Sequence, residues 1–277
     1  MKVVNTIVEM KQVRRALKGT VGFVPTMGYL HEGHLSLVRR AKAENLTAVV
    51  SIFVNPTQFL PHEDFRSYPR DTGRDLKMLG EAGADIVFMP APEEMYPAGY
   101  DTWVDLGKVT QRLEGASRPG HFKGVATVVA KLFNIVEPTK AYFGQKDAQQ
   151  CVVIKKMAED LNMNLEVVIC PTVREPDGLA MSSRNVYLTP EERKAALVLY
   201  KSLMLARELY EKGERDAEKI RGRMLELLNA EPLGKADYVS IADARTLEEL
   251  KVIDRPVLVS LAFKLGKPRL IDNILLG

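Results

Sequence analysis

The sequence has little cysteine and no long apolar run, and each shortage narrows what the protein can be. Its 277 residues include two cysteines, Cys151 and Cys170, which lie far apart in the chain and form no metal-binding spacing. We therefore expect a reduced, cytoplasmic setting with both cysteines in the core. No apolar run reaches the length of a membrane span, and the charged N-terminal segment is not typical of a signal peptide.

An excess of charge of one sign is also missing. The chain has 39 basic and 36 acidic residues, a net charge of +3, and no basic tract. Nucleic-acid binding is therefore not expected, although small anionic ligands remain possible through local clusters. The length and an apolar content of 46% suffice for one large domain or two modest ones.

The first two thirds of the chain alternate between strand-like and helix-like segments. Strands are predicted at 21–24, 47–54, 85–89, 140–143 and 165–170, and helices at 35–43, 71–82, 125–136 and 148–160. This alternation predicts an α/β fold with a doubly wound parallel sheet. Ligands of such sheets bind outside the carboxyl ends of the strands, and PTMGYLHEGH follows one predicted strand while FVNPTQF ends the next.

The pattern changes after Thr189. One long helix is predicted at 191–211, with Thr189 as its N-cap and Pro190 in its first turn, and a second helix at 216–228. Three strands follow, at 238–242, 257–263 and 269–271, with a hairpin turn at 264–267. These segments predict a smaller α+β domain. Placing the boundary at the Pro-rich PTVREPDG gives domains 1–175 and 176–277.

The segment PTMGYLHEGH combines two histidines with two glycines where a strand turns into a helix. Its spacing nearly matches a phosphate-binding P-loop, but His34 and Leu35 stand where such a loop has lysine and a hydroxyl residue. The glycines still permit close approach, and a helix N-terminus favours an anion. His31 and His34 could then contact a polyphosphate. The alternatives are two surface histidines in a turn, or a metal pair, which lacks a third ligand.

Two further segments could contact a small polar substrate. In FVNPTQF, the amides of Asn55 and Gln58 suit hydroxyl and carboxylate groups, although an ordinary turn explains the segment equally well. In RPGHFKGV, Arg118 and two neighbouring potential cations suit an anion, and a solvated basic loop is the alternative.

Polar residues also mark FGQKDAQQ and MSSRN. Lys146 could supply a charge to a phosphate oxygen and Gln150 could bind a substrate hydroxyl, although Asp147 also fits an ordinary helix start. In MSSRN, the hydroxyls of Ser182 and Ser183 with the guanidinium of Arg184 suit a triphosphate, or a capped turn.

Taken together in their order along the chain, these motifs resemble a known family. PTMGYLHEGH is similar to the HxGH signature of nucleotidyltransferases and class I aminoacyl-tRNA synthetases, and MSSRN to their mobile KMSKS-type loop. With FVNPTQF, YPR, RPGHFKGV, FGQKD, DGLAMSSRN and RLIDN, the chain resembles the pantothenate synthetase (pantoate–β-alanine ligase) family. The motifs run from Pro25 to Asn273, and so the resemblance covers nearly the whole chain.

The resemblance implies a reaction and an architecture. Family members form an enzyme-bound pantoyl adenylate from ATP and pantoate, with Mg²⁺ and release of pyrophosphate. The amine of β-alanine then displaces AMP to give pantothenate. Members are homodimers with a Rossmann-like N-terminal domain and a C-terminal lid domain.

The resemblance also assigns roles to residues of this sequence. The residues assigned to catalysis are His34, His31 and Lys146. Those assigned to ATP are Met27, Gly28, Tyr29, Leu30, His31, Glu32, Gly33, His34, Gly144, Gln145, Lys146, Asp147, Val173, Met181, Ser182, Ser183 and Arg184. Those assigned to the other substrates are Asn55, Gln58, Arg118 and Gln150.

Three positions depart from the family pattern. Gln145 stands where Glu is more common, Ala148 where Tyr is common, and Arg74 where some members have an acid. The last departure leaves the Mg²⁺ ligands unidentified, with Asp75 as a candidate. The alternative function is that of another HxGH-type nucleotidyltransferase, which would join a nucleotide to a phosphorylated small molecule.

Overall fold

The computed structural model describes residues 1–61 and 63–277, which divide into two compact units. The first contains residues 1–144 and 150–171, and the second contains residues 145–149 and 172–277. The strands of the described residues are β1 Lys2–Val4, β2 Val21–Thr26, β3 Thr47–Ile52, β4 Ile86–Phe88, β5 Lys140–Gly144, β6 Glu166–Cys170, β7 Gly234–Asp243, β8 Val257–Leu265 and β9 Arg269–Leu276. The helices are α1 Ile7–Ala16, α2 Glu32–Glu44, α3 Thr72–Glu81, α4 Pro92–Met95, α5 Glu114–Ser117, α6 His121–Val136, α7 Ala148–Asp160, α8 Pro190–Ala195, α9 Leu197–Glu211 and α10 Ala217–Asn229.

The first unit is built on a six-stranded sheet in the order β1-β4-β3-β2-β5-β6. Every neighbouring pair is parallel. The central strands β2 and β3 are nearly continuous runs of buried residues, as expected for a sheet that is covered on both faces. The predicted doubly wound parallel sheet is therefore confirmed.

Two apolar clusters form the core of the first unit. One contains helix α6, which is buried on nearly all sides, together with strand residues such as Phe23 and Phe143. The other contains α2 residues such as Leu35 and Val38 with strand residues such as Val50. Cys151 and Cys170 are buried, as predicted, and form no disulfide with each other.

Strands β2 and β3 bring two of the predicted motifs to the same sheet edge. They pair in register from Val21 with Thr47 to Thr26 with Ile52. Because the strands are parallel, the segments that follow Thr26 and Ile52 leave the sheet side by side. The structure thus confirms that PTMGYLHEGH and FVNPTQF begin at carboxyl ends of neighbouring strands.

The second unit contains a three-stranded antiparallel sheet in the order β7-β8-β9. The inward-facing residues of this sheet pack against α9 and α10 and form a separate apolar core that includes Leu203, Ile220, Val259 and Phe263. This arrangement confirms the predicted α+β character of the C-terminal region.

Several predicted bounds were wrong. The helix predicted at 191–211 is interrupted at Ala196, because the N–H of Leu199 bonds to the oxygen of Ala196, three residues back, and tightens the chain locally. Strands β7 and β9 extend beyond the predicted 238–242 and 269–271. Helix α1 lies outside the predicted elements, which begin at residue 21, although Thr6 caps this helix by accepting the N–H of Glu9.

Within the described residues, no helix has the length and apolar character needed to cross a membrane.

Candidate active site

The turn between β2 and α2 has an unusual backbone, and a buried carboxylate holds it. Gly28 and Tyr29 have φ angles of 81° and 51°, in the left-handed region. Asp75 on α3 is 1% exposed, and its two oxygens accept the N–H groups of Tyr29 at 2.7 Å and Leu30 at 2.8 Å. Gly28 favours glycine because of its left-handed φ, and a Cβ there would also lie 3.0 Å from Asp75 Oδ2.

The two histidines of the motif cap helix α2 reciprocally. His31 is the N-cap residue, and its Nδ1 accepts the N–H of Gly33 at 3.2 Å. The Nδ1 of His34 accepts the N–H of His31 at 3.4 Å. The spacing of three residues therefore has a structural purpose, in which imidazoles replace the usual hydroxyl and carboxylate of a capping box.

This capping fixes where each neutral ring carries its proton. A backbone N–H can only donate, so both Nδ1 atoms act as acceptors and the proton lies on Nε2. The ring centroids of His31 and His34 are 4.1 Å apart. Two N–H donors thus lie close together at the positive end of a helix dipole, an arrangement that suits an anion.

The other motif residues have different surroundings. The side chain of Leu30 is fully buried in the core, so any ligand contact of this residue would be through its main chain. Glu32 forms an ion pair with Arg39 on the surface of α2, and a hydrogen bond from Arg39 is the main cause that lowers the pKa of Glu32. Met27 lies beside Gln58, with its Sδ 3.1 Å from Gln58 Nε2.

Asn55 is buried, and its amide organises the turn after β3. Its Oδ1 accepts the hydroxyl of Tyr96 at 2.8 Å, the hydroxyl of Thr57 at 3.0 Å and the N–H of Thr57 at 3.4 Å. Its Nδ2 donates to the oxygen of Gly124 at 3.2 Å and to Oε1 of Gln58 at 3.0 Å. With these five bonds, Asn55 supports the turn.

These contacts determine which way the Gln58 amide faces. The N–H of Thr57 can only donate and the carbonyl of Gly124 can only accept, so the orientation of the Asn55 amide is fixed. Gln58 Oε1 consequently accepts from Asn55, and Gln58 Nε2 faces Met27. Gln58 therefore offers N–H donors, which suit a carboxylate or hydroxyl oxygen.

Helix α6 packs unusually close to this turn. A Cβ at Gly124 would lie 2.3 Å from the carbonyl oxygen of Thr57, so only glycine fits there. This contact explains one glycine of RPGHFKGV by packing alone.

Two other residues of RPGHFKGV, Arg118 and His121, lie against the main chain of Gln58. His121 Nδ1 lies 2.8 Å from the carbonyl oxygen of Gln58, and His121 Nε2 lies 3.0 Å from Arg118 Nη1. Arg118 also forms a two-bond ion pair with Glu63, at 2.5 and 2.7 Å. Arg118, a predicted substrate contact, thus has its charge balanced by a protein carboxylate.

Burial determines the charge state of this cluster. Desolvation, with repulsion from Arg118, lowers the pKa of His121 to about 4. His121 is therefore neutral at pH 7 and donates from Nδ1 to the Gln58 carbonyl. Burial alone would raise the pKa of Glu63, but the ion pair with Arg118 outweighs it and holds that pKa below its usual value.

In the second unit, a short 3₁₀ turn carries Lys146. The turn covers Gln145–Asp147, and Asn273 on β9 contacts it. The Nδ2 of Asn273 donates to the carbonyl oxygens of Gln145 at 3.0 Å and Lys146 at 2.9 Å. The ammonium of Lys146 lies 3.7 Å from Asp147 Oδ1.

The MSSRN segment forms another short turn in the same unit, and this turn is capped. The N–H of Met181 bonds to the oxygen of Val173 at 3.1 Å, which places these two predicted residues side by side. Ser182 caps the 3₁₀ turn Ser183–Tyr187 and accepts the N–H of Arg184 at 3.3 Å. Ser183 is buried.

The two remaining predicted residues lie in the first unit. Gly144 ends strand β5, and Gln150 lies in the first turn of α7.

Several residues that hold these motifs have no predicted supporting role. No sequence pattern indicates the contacts of Tyr96 and Glu63, because each bonds to a residue about 40 or more positions away. The motif RLIDN includes Asn273 but predicts no contact for it. Asp75, a candidate metal ligand by sequence, accepts main-chain N–H groups with both of its oxygens.

Among residues 1–61 and 63–277, no three His, Cys, Asp or Glu side chains lie close enough together to hold a metal ion. A divalent cation that is held mainly by a ligand's phosphates and by water needs no such cluster.

Comparison with known proteins agrees with this arrangement. A family model described as pantoate-beta-alanine ligase matches residues 2–275. The chain is 63% identical over 277 residues to pantothenate synthetase of Herpetosiphon aurantiacus, covering 100% of both chains. It is also similar to the crystal structure of pantothenate synthetase from Thermus thermophilus, with a TM-score of 0.94, 51% identity and 99% of each chain covered.

A third similar protein was solved with ligands. It is the pantoate-beta-alanine ligase of Francisella tularensis, complexed with beta-gamma ATP and beta-alanine, with a TM-score of 0.81 and 35% identity. The match covers 99% of this chain and 97% of that one. Because the family model matches nearly the whole chain and these identities extend over whole chains, this chain belongs to the pantoate–β-alanine ligase family.

Proposed function

We propose that this chain condenses pantoate with β-alanine in an ATP-dependent reaction that passes through a pantoyl adenylate. The observation that carries the proposal is the pair of imidazoles at the N-terminus of α2, each with its neutral-ring proton on Nε2. This pair suits the phosphate chain of ATP, and the family membership supplies the substrates. The complex of the Francisella relative with beta-gamma ATP and beta-alanine supports both ligands.

In the first step, a carboxylate oxygen of pantoate attacks the α-phosphorus of ATP. The bond from that phosphorus to the oxygen bridging to the β-phosphate breaks, and pyrophosphate leaves with the electron pair. No protein nucleophile is needed, so the protein has to align the reactants and balance charge. We assign His34 and His31 to the phosphates, where their N–H donors stabilise the developing negative charge.

The same step requires a fixed pantoate. The Nε2 group of Gln58 supplies donors for its carboxylate or hydroxyl oxygens, and we also assign Gln150 to pantoate. Asn55 keeps the Gln58 amide in this orientation through the bond at 3.0 Å. We assign Asn55 a positioning role, because its own polar atoms are already bonded within the protein.

In the second step, the amine of β-alanine attacks the acyl carbon of the adenylate. The bond between that carbon and the AMP oxygen breaks, AMP leaves, and the nitrogen loses its extra proton to give the neutral amide. The adenylate has to be protected from water between the steps. We propose that the C-terminal domain acts as the lid that provides this protection.

Within the second unit, the two short turns at Gln145–Asp147 and Ser183–Tyr187 supply further groups for ATP. We assign Lys146 to the phosphates as a mobile point charge, and Met181 to Arg184 to the triphosphate. Val173, which lies beside Met181, is assigned to the adenine region. We also propose a homodimer, as in the family that the sequence resembles.

Magnesium is proposed to accompany ATP and to neutralise charge on its phosphates. The absence of a three-ligand cluster among the described residues fits a Mg²⁺ ion that keeps several waters and binds mainly to phosphate oxygens. Asp75 does not need to serve as a ligand, and the turn it holds depends on both of its oxygens.

The proposed function is tested by measuring AMP formation with ATP, pantoate and β-alanine, and by omitting each compound in turn. We expect AMP only when all three are present, and pantoate-dependent pyrophosphate when β-alanine is left out. Pyrophosphate release that depends instead on a phosphate ester would support the alternative nucleotidyltransferase. ATP binding without turnover would contradict both functions.

A further inference from the structure

Asn273 in the motif RLIDN has no role in the reaction described so far, yet its contacts are with the turn that carries Lys146. Asn273 is 4% exposed and lies on β9, the last strand of the chain. It is separated from Lys146 by 127 positions in the sequence. Such a buried amide is expected to have specific partners.

The partners are three groups of that single turn. The two N–H bonds of Asn273 Nδ2 go to the carbonyl oxygens of Gln145 and Lys146, at 3.0 and 2.9 Å. Its Oδ1 accepts from Nε2 of Gln145 at 3.0 Å. The side chain of Asn273 therefore uses both donors and its acceptor on two residues. These are Lys146, which carries the proposed phosphate contact, and Gln145, the residue before it.

The position of Asn273 is fixed in turn by its neighbour Asp272. The N–H of Asn273 bonds to Asp272 Oδ1 at 2.7 Å. Asp272 is buried and forms a two-bond ion pair with Arg174, at 2.6 and 2.9 Å. Arg174 also donates to the oxygen of Gly178 at 3.0 Å and lies over the ring of Tyr200. This compensated ion pair gives Asn273 a rigid base.

We propose that Asn273 is a positioning residue for the adenylation step, and that it acts by holding the main chain of Lys146. The proposal rests on the proposed role of Lys146 toward the phosphates of ATP. A flexible lysine accelerates a reaction only when its backbone holds the ammonium group near the developing charge. Loss of the Asn273 amide is therefore expected to misplace the ammonium group of Lys146.

The test measures the rate of pyrophosphate release in a single turnover with ATP and pantoate. Asn273→Ala is expected to lower that rate about 10- to 100-fold. Lys146→Ala is expected to lower it ~10²–10³-fold. Because Asn273 acts through Lys146, adding Asn273→Ala to Lys146→Ala should cost less than about twofold more, which is strong non-additivity.

Ser260→Ala is the matched control. Ser260 lies directly opposite Asn273 in the pairing of β8 with β9, is equally buried, and its hydroxyl has no hydrogen-bond partner among residues 1–61 and 63–277. This variant should keep the wild-type rate.

Gln145→Ala is a second probe in case Asn273→Ala does not fold, since it removes one bond of a half-buried side chain. Gln145→Ala should lower the rate of pyrophosphate release less than Asn273→Ala does. This loss should also disappear when Lys146→Ala is present.

The outcomes separate this inference from the proposed function. Wild-type protein without pantoate-dependent pyrophosphate release would overturn the proposed function and the inference together. An active wild type with Asn273→Ala as fast as Ser260→Ala would overturn the inference alone. Equal losses from Asn273→Ala in the presence and absence of Lys146 would also overturn it, because the amide would then act by general stability.

Discussion

The hydroxyl of Tyr96 donates a hydrogen bond of 2.8 Å to Oδ1 of Asn55, 41 positions earlier in the chain. Burial raises the pKa of Tyr96 to about 12, so this hydroxyl keeps its proton and remains a donor. Asn55 in turn bonds to Gln58 Oε1. Tyr96 therefore helps to fix the amide that we assign to pantoate.

Tyr96→Phe should loosen the orientation of the Gln58 amide. We expect the KM for pantoate to rise several-fold and the KM for ATP to stay close to the wild-type value, with a loss of about 1 kcal/mol in the free energy of unfolding. Steady-state kinetics and urea denaturation measure these effects. Tyr100→Phe is the control, since the Tyr100 ring packs edge-on against Tyr96 and its hydroxyl bonds to no residue that the structure describes. Equal KM values in both variants would contradict the role of Tyr96.

Asp75→Asn should destabilise the turn between β2 and α2. The amide can accept only one of the two N–H groups, of Tyr29 or Leu30, and it turns a donor toward the other. We expect a loss of about 1–3 kcal/mol in the free energy of unfolding and a lower rate of adenylation.

Asp71→Asn is the matched control for this variant. Asp71 caps the same helix, and asparagine is an equally good N-cap, so both stability and rate should change little. Urea denaturation and pyrophosphate release compare the two variants. If Asp75→Asn behaved like Asp71→Asn, the turn would not depend on the buried carboxylate.

His34→Gln tests whether a charge is needed beside the phosphates. Glutamine keeps a hydrogen-bond donor but cannot become positive, whereas His34 becomes positive if the phosphates of ATP draw a proton onto Nδ1 in place of its 3.4 Å cap bond; we therefore expect adenylation to slow ~10²–10³-fold. Single-turnover pyrophosphate release measures this rate. Ser36→Ala, which removes a hydroxyl bonded to the oxygen of Gly33 in the same helix, should remain close to wild type. Retained adenylation in His34→Gln would count against an obligatory proton or cation at this position.

The stability of the protein should fall as the pH drops from 6.5 toward 4. The pKa of His121 is about 4 in the folded protein and near 6.5 when unfolded, so the unfolded chain binds an extra proton in this window. The contribution is of the order of 3 kcal/mol and is fully present above pH 6.5. Glu63, whose folded pKa is lowered, adds its own loss of stability below about pH 4.5.

The variant His121→Gln separates the two contributions. Glutamine can donate to the Gln58 carbonyl and accept from Arg118 without titrating. Urea unfolding between pH 4 and pH 7 should therefore show a smaller slope in this variant above about pH 4.5. An unchanged slope would assign the pH dependence to groups other than His121.

The sequence predicted the elements whose pattern is local. The apolar β-branched runs of β2 and β3 and the alternation of strands with helices were enough for the parallel sheet, because burial on both faces requires such runs. The family resemblance came from short motifs in a fixed order and was confirmed by the family match to residues 2–275. The prediction of one continuous helix across Ala196 was wrong, because the amino-acid composition does not indicate the tighter turn of the chain at that residue.

At the site, the sequence by itself determined which polar residues follow the strands, and with them the chemical groups that are available. Only the tertiary structure decided how those groups are held. Asp75 meets Tyr29 across 46 positions and Asn273 meets Lys146 across 127, and in neither case does spacing along the chain indicate the contact. The physical reason is that a hydrogen bond depends on distance and angle between atoms that packing brings together, whereas a sequence pattern records only the period of neighbouring residues.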